Sequence, residues 1–481
     1  MLGEALISHI IPQVETKIPD NYIPVQMIDG IAKPRGANVA TEHGALVEHF
    51  GKYLAELIRD TGGPFGVIGV QYIVNPRIRY AHMLGRGERD SLDEAIHEAQ
   101  DAPGLVYNYK GGVDAHTGKY HPGRGLLTVT TTCAAYCTFC TRGDVVGKTR
   151  KGYINPDDRE RTLAHKDKLT KVEIDQVFQF YRDHPEINEV IISGGDFMIA
   201  DEELFRYVID GFAKLQQEET KYDPYRDRMV PVIEIIRIGS RVLLQNADAI
   251  KDWRIEYLKK IKHLRLMLHI NNPKELTPKV LEKLDKFQEI PGINIYSQSV
   301  FLRGVNAVLK EGCAERIHEQ DIEYEIRQGG PDNKYYLVPV KDNTIDEDAT
   351  IQLLIDMFQE FAAHGINPYY LFQNDEVLWA ILLTVPAPQT IRIIRQVMEN
   401  LISGMANKVE LVFDNGNGKK SALLLDPDAA GYIDNRGIWV AWGPEVDLLL
   451  ENFFQKVGRV WPIGWDEPKV EAIADQPLHS A

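Results

Sequence analysis

The run LLTVTTTCAAYCTFCTRGD, Leu126–Asp144, joins a short apolar stretch to three cysteines, Cys133, Cys137 and Cys140. The chain has only four cysteines, and the fourth, Cys313, is distant. An isolated triplet offers no framework of disulfide pairs. A structural zinc ion wants four nitrogen or sulfur ligands, and no further His or Cys follows closely. Three thiolates in C-x3-C-x2-C spacing do suit a [4Fe–4S] cluster that leaves one iron without a protein ligand. An iron open in this way can bind a small molecule, which turns an electron carrier into a catalyst.

The spacing resembles that of the radical S-adenosylmethionine (SAM) superfamily. The resemblance implies that the open iron chelates the amino and carboxylate groups of SAM. Phe139, just before the last cysteine, stands where that superfamily often has an aromatic against the adenine.

Outward from this loop the chain reads as an ordinary globular protein. Its 481 residues can bury a large core, and 44 % hydrophobic with 26 % charged residues is a globular composition. No apolar run approaches a membrane span, so no membrane partner is expected. The net charge of −16 argues against a nucleic-acid partner, because gripping phosphates needs a cationic surface. Four cysteines without a paired pattern fit a reducing cytoplasm.

From Leu126 onward, short apolar runs suited to buried parallel strands recur at 126–131, 189–192, 232–238, 265–270, 293–297 and 369–372. Helices are expected between most of them. Thr170 with Glu173 makes a capping box ahead of Ile174, Val177, Phe178 and Tyr181. Thr277-Pro278 opens a second helix, with Val280, Leu281, Leu284 and Phe287 inward. Residues 346–364 form a third, stopped at Gly365, and 388–403 a fourth, stopped at Gly404. The fold class expected is therefore α/β, a partial (β/α)6 barrel with its chemistry at the carboxyl ends of the strands. The N-terminal region is mixed α/β over 1–115, with helices at 41–59 and 92–99 and a strand at 65–74. The core spans 116–425 with an insertion at about 307–345, and 426–481 forms a C-terminal extension.

Polar residues gather where these strands end. Ser193-Gly194-Gly195-Asp196 follows the second, and its glycines let backbone approach a ligand, although a plain strand-to-helix turn would use the same residues. Arg237-Ile238-Gly239-Ser240-Arg241 ends the third, His269-Ile270-Asn271-Asn272-Pro273 the fourth, and Ser297-Gln298-Ser299 the fifth, before Leu302-Arg303-Gly304. A buried His there is commonly a satisfied core residue, and an Arg commonly an ion-pair partner. The sixth ends at Asp375, and a last strand, 409–413, runs into Asp414-Asn415-Gly416-Asn417-Gly418-Lys419-Lys420. That loop reads as a hairpin turn, or as a turn that brings a lysine to a cofactor.

In order and content this series resembles the lysine 2,3-aminomutase family of radical-SAM enzymes that use pyridoxal phosphate (PLP), over about 121–420. The resemblance implies a [4Fe–4S] cluster on Cys133, Cys137 and Cys140, and SAM held by Ser193, Gly194, Gly195, Asp196, His269 and Gln298. It implies PLP contacted by Arg124 and attached to Lys419, the catalytic lysine. Arg142 pairs with the substrate carboxylate, and Asp375 and Asp414 hold the distal ammonium of lysine or a similar basic amino acid. The implied reaction moves the α-amino group to the β-carbon through a 5′-deoxyadenosyl radical and a PLP aldimine. A reductant such as flavodoxin or ferredoxin and a homo-oligomer are the implied partners.

The chain also departs from the family. Its glycine loop is two residues short, and Lys420 stands where a threonine is usual, so Lys420 is an alternative anchor. Gly143-Asp144 replaces further arginines after Arg142, and the insertion before Pro368 is longer. Another radical-SAM reaction, a deamination or a different mutase step with or without PLP, is the alternative reading. A protein-modifying enzyme is a third.

Overall fold

The computed structural model describes residues 51–73, 101–106, 123–143, 168–314, 321–377, 379–401, 409–414, 419–434 and 437–446, with residues 99 and 146 and the short strands Val25–Ile28, Ile31–Pro34, Gly112–Val113 and Tyr120–His121. Its centre is a nine-stranded sheet, seven of whose strands run parallel and lie side by side in chain order. They are β1 (Gly123–Thr130), β2 (Ile187–Gly194), β3 (Ile235–Ser240), β4 (Arg265–Leu268), β5 (Asn294–Phe301), β6 (Asn367–Gln373) and β7 (Glu410–Phe413).

Each connection carries a helix: α1 (Lys171–Asp183), α2 (Glu202–Gln217), α3 (Asp252–Leu258), α4 (Pro278–Gln288), α5 (Glu347–Ala363) and α6 (Ala387–Asn400). Parallel strands need such crossovers, since a tight turn can only return the chain antiparallel. One antiparallel strand borders each edge, Leu105–Val106 on β1 and Lys420–Ser421 on β7. Among the described residues these two strands end the sheet, and it does not close on itself.

Local chemistry accounts for the helix ends. The capping box forms on α1: the Glu173 amide donates to Thr170 Oγ1 at 3.3 Å, and the Thr170 amide to Glu173 Oε2 at 2.8 Å. Ile174, Val177, Phe178 and Tyr181 are buried as their spacing requires. On α4, Val280, Leu284 and Phe287 are buried while Leu281 is only partly so. Asp346 caps α5, and Gly365 follows its end at φ +69°, a left-handed turn that glycine enters without strain. A single apolar core joins the helices to the sheet, including Val190, Ile192, Ile238, Leu266 and Leu371.

Several expectations need correction. The apolar run 65–74 is not a strand where described. It forms two 3-10 turns, Gly63–Phe65 and Gly69–Gln71, because Pro64 and the glycines at 62, 63, 66 and 69 break extended pairing. Helix α6 ends at Asn400 rather than Ser403. Of the helix expected at 41–59, Lys52–Asp60 is seen. The rest of that helix and 92–98 lie outside the described residues, as do Gly404 and the loop 415–418. The insertion contains an antiparallel hairpin, Ile322–Gly329 with Lys334–Asp342. Further along, Gly431–Ile433 pairs with Trp439–Ala441 as a second hairpin.

Candidate active site

The loop after β1 carries the three cysteines, all partly buried. The N-terminal segment holds it: the Thr138 amide donates to the Gln71 carbonyl at 2.8 Å, and its hydroxyl donates to the Val70 and Gln71 carbonyls at 3.2 Å. Burial pushes the Cys133 thiol well above its usual range, and Asp196, Cys137 and Cys140 raise it further. Cys137 is pushed up to about 12, first by burial, with Arg241 opposing. Gln245 donates to the Cys137 sulfur at 3.4 Å. Among the described residues no His, Cys, Asp or Glu trio already stands in metal-binding geometry. The triplet is nevertheless one loop of thiols, and a bound cation would reverse the shifts that hold Cys133 and Cys137 protonated.

Ser193-Gly194-Gly195-Asp196 lies beside this loop, and its glycines serve the protein first. A Cβ on Gly195 would meet the Thr132 carbonyl oxygen at 2.0 Å, and one on Gly194, at φ +115°, the Thr130 oxygen at 2.3 Å. The backbone passes there because the Gly195 and Asp196 amides donate to the Thr130 and Thr132 carbonyls. The Asp196 side chain is 1 % exposed. It accepts from the amides of Met198, Arg241 and Val242 and from the Ser240 hydroxyl, so it ties the ends of β2 and β3 together. Ser193 receives the Arg142 guanidinium at 3.1 Å.

Arg241 is the buried hub of the upper site. It donates to Tyr72 Oη at 3.0 Å, to Gln71 Oε1 at 2.6 Å and to the His269 carbonyl, and it pairs with Glu275 at 2.5 Å. Glu275 also accepts from the Asn271 and Asn272 amides. The Arg241 guanidinium lies 5.2 Å from the Phe139 ring centre. That ring is buried among Leu302, Val305, Val377, Ala380 and Leu383, so its observed partners are protein groups. Arg303 keeps the bland role for a strand-end arginine, an ion pair with fully buried Asp342.

Deeper along the strands lies a second constellation. Arg124 and Arg237 both pair with Glu189. Lys419 reaches toward them from the far side of the sheet. Its amine sits 4.7 Å from the ring centres of Tyr370 and Phe372. Its pKa is lowered to about 8, chiefly by burial; Asp414 opposes this, Arg124 and Arg237 add to it, and Asp375 opposes. His269 is lowered to about 4, by burial and then by Arg241, Arg142 and Lys419, against a hydrogen bond with Gln298. It is neutral at physiological pH and links the upper site to the lower. Lys420 begins the edge strand Lys420–Ser421 and pairs with Phe413, while Lys419 precedes that strand.

The structure therefore brings Arg142 to Ser193 and His269, and Lys419 to Arg124, Asp375 and Asp414. Sequence reasoning missed the N-terminal contributors Gln71 and Tyr72, which lay in an apolar run that signalled only burial. Arg237 was visible in the strand-end motif, where its pairing with Glu189 is the ordinary role of a strand arginine, and Glu189 was visible only as a strand residue. No helix among the described residues is long and apolar enough to cross a membrane.

Fold and site define the class: an α/β protein whose parallel strands and the loops after them carry thiols, a low-pKa lysine, guanidiniums and carboxylates. No protein-family model matches the chain. It is 29 % identical over 217 residues to the L-lysine 2,3-aminomutase of Clostridium subterminale, covering 45 % of this chain and 42 % of that one. It is 28 % identical over 217 residues to the L-lysine 2,3-aminomutase of Bacillus subtilis, covering 45 % and 37 %. It is 25 % identical over 213 residues to the glutamate 2,3-aminomutase of Clostridioides difficile, covering 44 % and 43 %. The chain is lysine 2,3-aminomutase-like. It spans about two fifths of the length of the first two relatives.

Proposed function

We propose that this protein is a radical-SAM amino-acid 2,3-aminomutase acting on L-lysine or a similar basic amino acid. The open sheet is read as the partial (β/α)6 barrel of that superfamily, over 116–425. The observation that carries the proposal is Lys419, over the Tyr370 and Phe372 rings, within electrostatic reach of Asp414, Arg124, Arg237 and Asp375. A depressed lysine beside two guanidiniums suits an anionic aldehyde cofactor, with Lys419 as its attachment point and the arginines toward its phosphate. Cys133, Cys137 and Cys140 would hold a [4Fe–4S] cluster. SAM would lie between that loop and Ser193, His269 and Gln298, with Gly194, Gly195 and Asp196 shaping the turn beneath it. When bound, the cluster with SAM supplies a carbon radical, and PLP supplies a carrier for the migrating nitrogen.

The chain's own groups bind and orient. Arg142 presents a planar fork for a carboxylate, fixed at one nitrogen by Ser193. Asp375 and Asp414 offer negative charge to a distal ammonium. Neutral His269 can accept or donate one hydrogen bond without adding a cation to a site that already holds several. The tyrosine and phenylalanine rings under Lys419 exclude water and keep the amine partly unprotonated.

Relatives are named for both lysine and glutamate substrates. Two aspartates would repel a second carboxylate, which favours the basic substrate. A reductant such as flavodoxin or ferredoxin and a homo-oligomer belong to the same proposal. The test is a screen of free amino acids with anaerobically reconstituted protein, SAM and reductant. Conversion of lysine to its β-isomer is expected; conversion of a different amino acid alone would refute the substrate. Turnover without bound PLP would favour the alternative radical-SAM reaction.

A further inference from the structure

The C-terminal hairpin Gly431–Ile433/Trp439–Ala441 is more than a surface extension. Tyr432 is 6 % exposed while its neighbour Ile433 is 57 % exposed, so strand alternation turns the tyrosine inward. Its ring lies 6.1 Å from Phe413, the residue before Asp414, and 5.1 Å from Trp442. Trp442 in turn lies 5.1 Å from Phe413. The phenol lies within electrostatic reach of Asp434, Asp414 and Asp375, and burial with these carboxylates keeps it protonated. Asp434, 5 % exposed, accepts from the Ile438 amide at 2.9 Å. Three carboxylates thus lie within electrostatic reach of one neutral phenol, whose ring packs on the residue before Asp414.

The hairpin is braced from behind by the insertion. Arg327 donates to the Pro427 and Ala429 carbonyls at 2.8 Å, and the Leu337 amide to the Pro444 carbonyl at 3.0 Å. Tyr336, Val338, Val340 and Ala430 form a small core with Trp439 and Trp442 against it. A side chain on Gly329 would meet Trp439 at 2.8 Å and Ala430 at 2.9 Å, so the two hairpins are packed without slack. A wall held this firmly can discriminate ligand length, since a rigid surface cannot yield to an extra methylene.

We propose that this braced hairpin is the end wall of the substrate site, and that Tyr432 is a specificity-determining residue that sets how long a cationic side chain is admitted. The inference rests on the reading of Asp375 and Asp414 as the ammonium clamp. The ligand class is an amino acid with an unbranched chain ending in a primary ammonium. The phenol contacts that end and excludes longer homologues, while the carboxylates supply the charge.

The test is equilibrium binding by calorimetry, with full-length protein reconstituted anaerobically and no reductant or SAM present. Lysine and its one-carbon-longer homologue are compared in wild type, Tyr432→Ala and Tyr432→Leu, the leucine retaining apolar packing if alanine loosens the hairpin. The ratio of affinities is expected to shift toward the longer homologue by ~10-fold or more, the usual scale for one methylene in a shaped pocket. Tyr432→Phe should keep most of the selectivity. An unchanged ratio in a folded variant, with lysine binding still weakened by Asp375→Asn, overturns the wall alone. Lysine binding indifferent to Asp375→Asn overturns the ammonium clamp and the wall with it.

Discussion

The Lys419 amine stands 4.7 Å from the centre of the Tyr370 ring, close enough to be both desolvated and attracted by it. Those effects oppose each other for the ammonium, and burial wins, leaving the pKa near 8. At pH 7.5 roughly a quarter of such amines is neutral, against about one in a thousand for an ordinary lysine. Lys419→Ala should therefore abolish the absorbance of bound PLP after reconstitution, while Lys420→Ala keeps it. Spectra of the two variants check the assignment, and the reverse pattern would move the anchor to Lys420.

Asp375→Asn and Asp414→Asn each remove one negative charge from the clamp proposed for a distal ammonium. Each should weaken lysine binding by ~10–100-fold, about 1.4–2.8 kcal/mol, with little effect on an uncharged analogue such as norleucine. Isothermal titration of both ligands measures the difference.

His269 should make stability sensitive to acid. Its folded pKa of about 4 lies below the ordinary value of 6.5, so between these pH values the unfolded chain binds the extra proton. The folded state thus loses stability as pH falls from about 6.5 to 4, by up to about 3 kcal/mol from this group. Denaturant unfolding at pH 7 and pH 4.5 should show a smaller drop in His269→Gln than in wild type.

Glu275→Ala would strand the buried Arg241 guanidinium and leave the Asn271 and Asn272 amides without their acceptor. Breaking a buried pair from one side costs about 3–5 kcal/mol. Denaturant unfolding should show that loss, and Glu275→Gln, which keeps a neutral acceptor, should lose less.

Replacing Cys133, Cys137 or Cys140 by serine should each abolish iron retention after anaerobic reconstitution, while Cys313→Ser should not. Iron and sulfide analysis distinguishes the four. Cys313 is distant from the loop in sequence and is buried.

Much of the architecture was legible because parallel strands and amphipathic helices write themselves as local periodicity. All seven core strands and the capped starts of α1, α4 and α5 follow from residues within a few positions of one another. Where glycine and proline interrupt an apolar run, as at 63–69, the same hydrophobicity misleads, because burial does not specify extended backbone. The polar motifs do stand at strand ends, but their partners were not legible. Gly194, Gly195 and Asp196 chiefly bind the cysteine loop and the end of β3, and Phe139 packs beside Arg241. Such partners lie far away in sequence, where no periodicity reaches.

By itself the sequence determined the thiol triplet, the alternation of strand and helix, and the order in which polar residues arrive at the strand ends. These depend on covalent spacing and on local preferences that survive in any context. Only the tertiary structure decided that Asp375, Asp414 and two arginines act on Lys419, and that the Tyr432 phenol lies within reach of the same carboxylates. Desolvation and charge act through space, and the groups that shift the Lys419 amine come from β1, β3, the end of β6 and the loop after β7.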